Sequence, residues 1–86
     1  LDLLVNLANV LMQLERYDEA TQYLQRAADL KPDELAILIA LGNCALKRND
    51  MPQAVLSFRR ALELEPSNIS LHQLVQQLEA GELAYG

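Results

Sequence analysis

The chain has 86 residues, 51% of them hydrophobic and 22% charged, and a formal net charge of −5. This balance predicts one small packed domain rather than a disordered chain. The acidic excess disfavours nucleic acid as a partner, because a phosphate-binding surface needs clustered Lys and Arg. Membrane insertion is not expected either, since the longest nearly apolar run, residues 35–46, is shorter than the roughly 20 residues of a spanning helix.

An internal repeat of 34 residues organises the chain. A shift of 34 positions pairs identical residues at Leu1/Leu35, Leu4/Leu38, Leu7/Leu41, Asn9/Asn43, Ala20/Ala54, Arg26/Arg60, Ala27/Ala61, Leu30/Leu64 and Pro32/Pro66. A fixed period in this range predicts a solenoid of stacked helical units. Residues 1–34 form the first unit and residues 35–68 the second unit.

Each unit contains two stretches with apolar residues at helical spacing, separated by a short break. In the first unit the predicted core residues are Leu4, Leu7, Ala8 and Leu11, then Ala20, Leu24, Ala27 and Ala28. In the second unit they are Leu38, Leu41, Gly42 and Ala45, then Ala54, Phe58, Ala61 and Leu62. A fifth helix follows, with Leu71, Leu74, Val75 and Leu78 on one side, and Gly81 ends it. We expect residues 82–86 to be loosely ordered.

The helix boundaries have recognisable chemistry. Helix starts are predicted where a side-chain oxygen can accept a bond from a free backbone N–H, at Asp18, Asp33, Asp50 and Ser67 or Asn68. The turn inside the first unit contains Glu15, and the matching turn of the second unit contains Asn49. Because Asn tolerates a left-handed backbone and Glu does not, we expect the first turn to be built differently.

The two units resemble the tetratricopeptide repeat family. The first shows the family pattern as Leu4, Leu7-Ala8, Leu11, Ala20, Leu24, Ala27 and Pro32, and the second as Leu38, Leu41-Gly42, Ala45, Ala54, Phe58, Ala61 and Pro66. The resemblance implies an all-α fold, a right-handed α-solenoid of stacked antiparallel helix pairs with five helices. Its expected parts are repeat 1 at residues 1–34, repeat 2 at residues 35–68, and a capping helix with a short tail at residues 69–86.

The resemblance also implies a concave groove, lined by the first helix of each unit, that binds a protein or peptide. The groove residues expected from it are Val5, Asn6, Asn9, Met12, Gln13, Ile39, Ala40, Asn43, Leu46, Lys47 and Gln73. Helical spacing places this set opposite the face that packs on the paired helix. Apolar residues there would receive the hydrophobic side chains of a guest, and the asparagines would bond its backbone. The alternative is that the apolar members simply belong to a buried central helix.

A subgroup of the family grips the C-terminal carboxylate of its ligands with Lys, Asn, Asn, Lys and Arg. The matching positions here are Val5, Asn9, Ala40, Ser70 and Leu74, so only Asn9 agrees and we expect no such clamp. Neither catalysis nor a cofactor or metal is expected. Cys44 lies in an apolar stretch as a small buried side chain, and His72 is a lone solvated histidine.

The sequence thus predicts a non-enzymatic interaction module or scaffold. Two alternatives stay open: a non-catalytic repeat segment of a larger enzyme or of a secretion or assembly machine, and a self-association module that forms a homo-oligomer. The chain begins at Leu1 without Met, so an excised segment is expected. The sequence does not give the compartment, although a soluble cytoplasmic protein is slightly favoured.

Overall fold

A computed structural model describes residues 2–81, and these residues form five α-helices. They are α1 (Asp2–Gln13), α2 (Tyr17–Leu30), α3 (Leu35–Lys47), α4 (Met51–Leu64) and α5 (Ile69–Glu79). Each helix packs against the next along the chain, and three to four residues join them, so successive helices run antiparallel. The predicted all-α repeat fold of five helices is confirmed. The expectation for residues 82–86 lies outside the described residues.

The core has two apolar clusters, and α3 contributes to both. Ile37, Leu41 and Cys44 pack with the buried residues of α1 and α2. Leu38 and Ala45 pack with those of α4 and α5. This double role explains why α3 is apolar nearly all round, since a helix covered on two sides has little surface left for polar residues.

Small residues permit close packing of the two helices within each unit. In the first unit Ala8 and Leu24 are fully buried. At the equivalent places of the second unit stand Gly42 and Phe58, and the Phe58 ring fills the space that a side chain at Gly42 would need. The two units therefore solve the same packing problem with different pairs of small and large residues.

The turns between paired helices are built alike, which corrects the expectation for the first one. Glu15 has a φ of 61° and Asn49 a φ of 59°. In both turns the next backbone N–H reaches back five residues, from Arg16 to Leu11 O and from Asp50 to Ala45 O, each at 2.8 Å. This bonding defines a Schellman ending, which requires a left-handed residue at this place whatever its identity. The hydrogen bonds thus hold Glu15 in a conformation that its side chain disfavours.

Two of the predicted caps form and two do not. The Asp50 carboxylate accepts from Gln53 N at 3.3 Å, and the Asn68 side-chain oxygen accepts from Leu71 N at 3.1 Å. The predictions for Asp18 and Asp33 are wrong, because α2 begins after Arg16 and α3 after Glu34, both without a side-chain cap bond. Asp18 instead receives a hydrogen bond from Arg48 at 2.7 Å, which ties α2 to the end of α3.

Leu7 is a predicted core residue that the structure leaves exposed. It is 40% exposed, whereas its counterpart Leu41 in the second unit is 3% exposed. Leu41 is covered because the first unit packs on that side of α3. Residues 2–81 provide no equivalent cover for Leu7. Within the same residues, every helix is too short or too polar to cross a lipid bilayer.

Candidate partner-binding face

The eleven predicted groove residues lie on α1, α3 and α5, the three helices that run in the same direction. We call them the binding face: Val5, Asn6, Asn9, Met12, Gln13, Ile39, Ala40, Asn43, Leu46, Lys47 and Gln73. The polar members are all solvent-exposed, namely Asn6, Asn9, Gln13, Asn43, Lys47 and Gln73. Amides dominate this exposed set, and Lys47 is its single charged residue. The face therefore offers hydrogen-bond donors and acceptors with little net charge.

The apolar members of the binding face are less available than the sequence suggested. Val5, Met12 and Ala40 are half-buried and pack against the cluster of the first unit. Ile39 and Leu46 are half-buried against the cluster of the second unit. These five side chains therefore take part in core packing. They support the core with one side and present only their remaining surface to a guest.

Equivalent positions of α1, α3 and α5 carry an amide. Asn9 on α1 and Asn43 on α3 are separated by one repeat, and Gln77 follows at the same spacing on α5. All three side chains are exposed. The half-buried Val5 and Ile39, one helical turn before Asn9 and Asn43, also occupy equivalent positions. A periodic row of amides beside apolar surface is suited to an extended or helical peptide, whose backbone repeats donors and acceptors at regular intervals.

A separate concavity lies between α4 and α5, and sequence reasoning missed it. Its volume is about 590 Å³, and among its lining residues are Leu56, Arg59, Arg60, His72 and Glu79. Arg59 donates to the Glu79 carboxylate at 2.8 Å across this space. None of the eleven binding-face residues lines it. Adjacent arginines in the sequence were the available signal, but their pairing with a carboxylate depends on how α5 packs.

Cys44 and His72, whose side chains could be reactive, both have structural surroundings that account for them. Cys44 is fully buried, and burial raises the pKa of its thiol, while the neighbouring Thr21 hydroxyl and Arg48 charge act in the opposite direction. The thiolate that a nucleophile needs is therefore disfavoured. His72 is exposed, and its Nε2 lies 2.9 Å from the Pro66 carbonyl oxygen, where it holds the loop before α5. Among residues 2–81, no three His, Cys, Asp or Glu side chains are grouped to share a metal ion.

Comparison with known proteins agrees with the helical architecture. The family model of the tetratricopeptide repeat matches residues 5–69. The chain belongs to the tetratricopeptide repeat family. It is 35% identical over 72 residues to the proteins named Protein O-mannosyl-transferase TMTC3 of Homo sapiens and of Mus musculus. The match covers 83% of this chain and 8% of each relative.

Membership of the family defines the general role of the fold. Repeats of this family generally mediate protein–protein interaction, through the extended concave surfaces that stacked helix pairs create. The chain spans only a small part of the length of the curated relatives that it matches.

Proposed function

We propose that this chain is a protein-binding module whose binding face holds a peptide or a partner helix. The observation that carries the proposal is the row of exposed amides at equivalent positions, Asn9, Asn43 and Gln77. A periodic surface of this kind favours a periodic ligand. A peptide backbone is such a ligand, and it needs no charge to be recognised.

The physical mode follows from the two kinds of residue on the face. Each Asn side chain can donate to a backbone carbonyl and accept from a backbone N–H. The half-buried Val5, Met12, Ile39 and Leu46 are held in place by the core, so a guest that contacts them meets pre-ordered apolar surface. Pre-ordering lowers the entropic cost of binding. Affinity would thus come from apolar contact and specificity from the amides.

The test begins with peptides selected from a random display library against the folded chain. Their Kd values are then measured by fluorescence polarisation for the wild type and for an N9A/N43A variant. Both asparagines are exposed, so the variant should stay folded. Loss of two hydrogen bonds at about 0.5–1.5 kcal/mol each corresponds to a Kd roughly 5- to 150-fold weaker.

A matched control removes two exposed amides from another helix. Gln22 and Gln25 on α2 are exposed and lie outside the binding face. The Q22A/Q25A variant should bind the selected peptides with the wild-type Kd. If the N9A/N43A variant binds them as tightly as the control does, the proposed role of the face is wrong.

A second candidate function is suggested by the relatives. They carry the name of an O-mannosyl-transferase, and this chain matches 8% of their length. Under this second proposal the chain is a non-catalytic repeat segment of a larger enzyme, and the binding face holds the protein that the enzyme modifies. The buried Cys44 thiol, with its raised pKa, agrees with a non-catalytic role. The isolated chain should then show no glycosyl transfer, yet bind acceptor polypeptides through the same asparagines.

A further inference from the structure

Lys47 is the one charged residue of the binding face, and it stands at the last position of α3. Its side chain is exposed to solvent. The equivalent position on α1 holds the neutral Gln13, and the equivalent position after α5 holds Gly81. A positive charge therefore marks one edge of the binding face, at the carboxyl ends of α1 and α3.

The stability of the helices does not account for this charge. A cation in the last turn of a helix is favourable, because the helix dipole places partial negative charge there. However, α3 is the one helix within residues 2–81 that has a basic residue in its last turn. The helices α1, α2, α4 and α5 form without one. The architecture therefore does not depend on a cation at this place.

Lys47 also differs from the arginines that are already engaged by carboxylates. These arginines form the ion pairs Arg16–Glu19, Arg48–Asp18 and Arg59–Glu79. Among residues 3–81, no carboxylate lies within ion-pairing distance of the Lys47 ammonium group. The charge of the neighbouring Arg48 is directed to α2 through its pair, whereas the charge of Lys47 is available to a guest on the binding face.

The surroundings of Lys47 combine this charge with the two other kinds of group on the binding face. Asn43 precedes Lys47 by four residues and lies one helical turn away on the same side of α3, about 5–6 Å between Cβ atoms. Leu46 is half-buried, and so is Met12, its counterpart on α1. A guest whose backbone is bonded to Asn43 would thus be in reach of a cation and of apolar surface at once.

We propose that Lys47 selects guests that carry an acidic side chain next to an apolar one, at a fixed distance along the guest from the backbone group that Asn43 binds. This inference rests on the proposed function, since it names the chemistry of the guest on the same face. The acidic side chain pairs with Lys47, and its apolar neighbour contacts Met12 and Leu46. The carboxylate belongs to a side chain, so the guest needs no free C-terminus at this place.

The charge of the whole chain makes this selection local. A net charge of −5 repels an acidic guest from most of the surface and attracts a basic one. The eleven residues of the binding face include no carboxylate, and Lys47 gives them a positive charge. An acidic residue at this one position therefore meets attraction and a basic residue meets repulsion, and the two effects together favour the acidic guest.

The test uses the peptides selected from the display library, in C-terminally amidated form, so that only side chains carry carboxylates. The selected sequences should be enriched in Asp or Glu at one position beside an apolar residue. Replacing that acidic residue by its amide should weaken binding to the wild type about two- to fivefold, the range of an exposed ion pair. The K47E variant should bind the acidic peptide about 4- to 25-fold more weakly, because repulsion replaces attraction.

A matched control is K31E, which changes the net charge of the chain by the same amount. Lys31 is exposed and lies outside the binding face. The 13 residues of α3 separate it from Lys47 by roughly 18 Å, more than the Debye length of about 10 Å at 0.1 M salt. K31E should therefore bind the acidic peptide within about twofold of the wild type. A peptide with Lys in place of the acidic residue should bind K47E more tightly than the wild type.

Three results would overturn the proposal: equal weakening by K47E and K31E, equal Kd values of the wild type for the acidic peptide and its amide form, or a selected set without an enriched acidic position. The N9A/N43A variant separates this outcome from that of the proposed function. Peptides weakened by N9A/N43A but not by K47E refute the charge selection alone. Peptides insensitive to N9A/N43A refute the binding face and, with it, the role of Lys47.

Discussion

The Phe58 ring packs so closely on Gly42 that a side chain at this position is predicted to destabilise the fold. A Cβ placed on Gly42 would lie 2.5 Å from Cζ, 2.6 Å from Cε2 and 2.8 Å from Cε1 of the Phe58 ring. Favourable carbon contacts lie at about 3.5–4.0 Å, so an added methyl group would overlap three ring atoms at once. The ring is 1% exposed and cannot swing into solvent. Gly42→Ala should therefore shift α3, α4 or the ring.

The expected magnitude is the difference between two terms. Overpacking of a core costs about 1–3 kcal/mol, and the upper half of that range applies because three atoms collide. Replacing Gly by Ala inside a helix returns about 1 kcal/mol of helix propensity. The free energy of unfolding should thus fall by about 1–2 kcal/mol, measured by urea denaturation followed by circular dichroism.

The first unit provides the matched test, because it uses Ala8 and Leu24 at the same two positions. The F58L variant alone leaves a cavity and should cost about 1–2 kcal/mol. In the G42A/F58L double variant the added methyl group occupies space that the ring has vacated. The double variant should therefore be about 1–2 kcal/mol more stable than the sum of the single effects predicts. Additive losses would refute the close-packing argument.

Three further results are expected. Glu15→Asn should raise the free energy of unfolding by about 0.5–1 kcal/mol, since Asn tolerates the left-handed backbone that Glu15 adopts. The reciprocal N49E variant should lower the free energy of unfolding by a similar amount. If both variants are as stable as the wild type, this explanation is contradicted. Asn68→Ala should cost about 1 kcal/mol in chemical denaturation by removing the cap of α5, whereas D18A, at a position without a cap bond, should cost less. Alkylation of Cys44 should be more than about 100-fold slower in the native chain than in urea, because its reaction requires unfolding, and rapid native labelling would contradict its burial.

Sequence periodicity was sufficient for the fold because each helix repeats its apolar residues at the same phase. It placed Ala20, Leu24 and Ala27 in the core, where they are buried. It failed at Leu7, because burial there depends on a neighbouring unit rather than on the residue's own helix. It also failed at Glu15, where the hydrogen bonds of the turn override the residue's backbone preference. Local chemistry predicted the caps at Asp50 and Asn68, but it misplaced those of α2 and α3, which begin after Arg16 and Glu34.

Helical spacing predicts a position for the binding face but not its balance of exposed and buried groups. Helical spacing indicates which residues lie on one side of α1 and α3. It does not predict how much of the Ile39 and Leu46 side chains is buried, since their burial depends on how the helices pack. The exposed asparagines became the better candidates only when the structure showed those apolar residues to be half-buried. The division at residues 34 and 68, and the binding role of the face, stay predictions.

The most direct test of the proposed function is NMR of the uniformly ¹⁵N-labelled chain titrated with a selected peptide. The side-chain amide signals of Asn9 and Asn43 should shift with a common Kd, together with backbone signals of α1 and α3. Signals of Gln22 and Gln25 on α2 should stay in place. Shifts centred on α2 and α4, with both asparagines unaffected by a bound peptide, would contradict it.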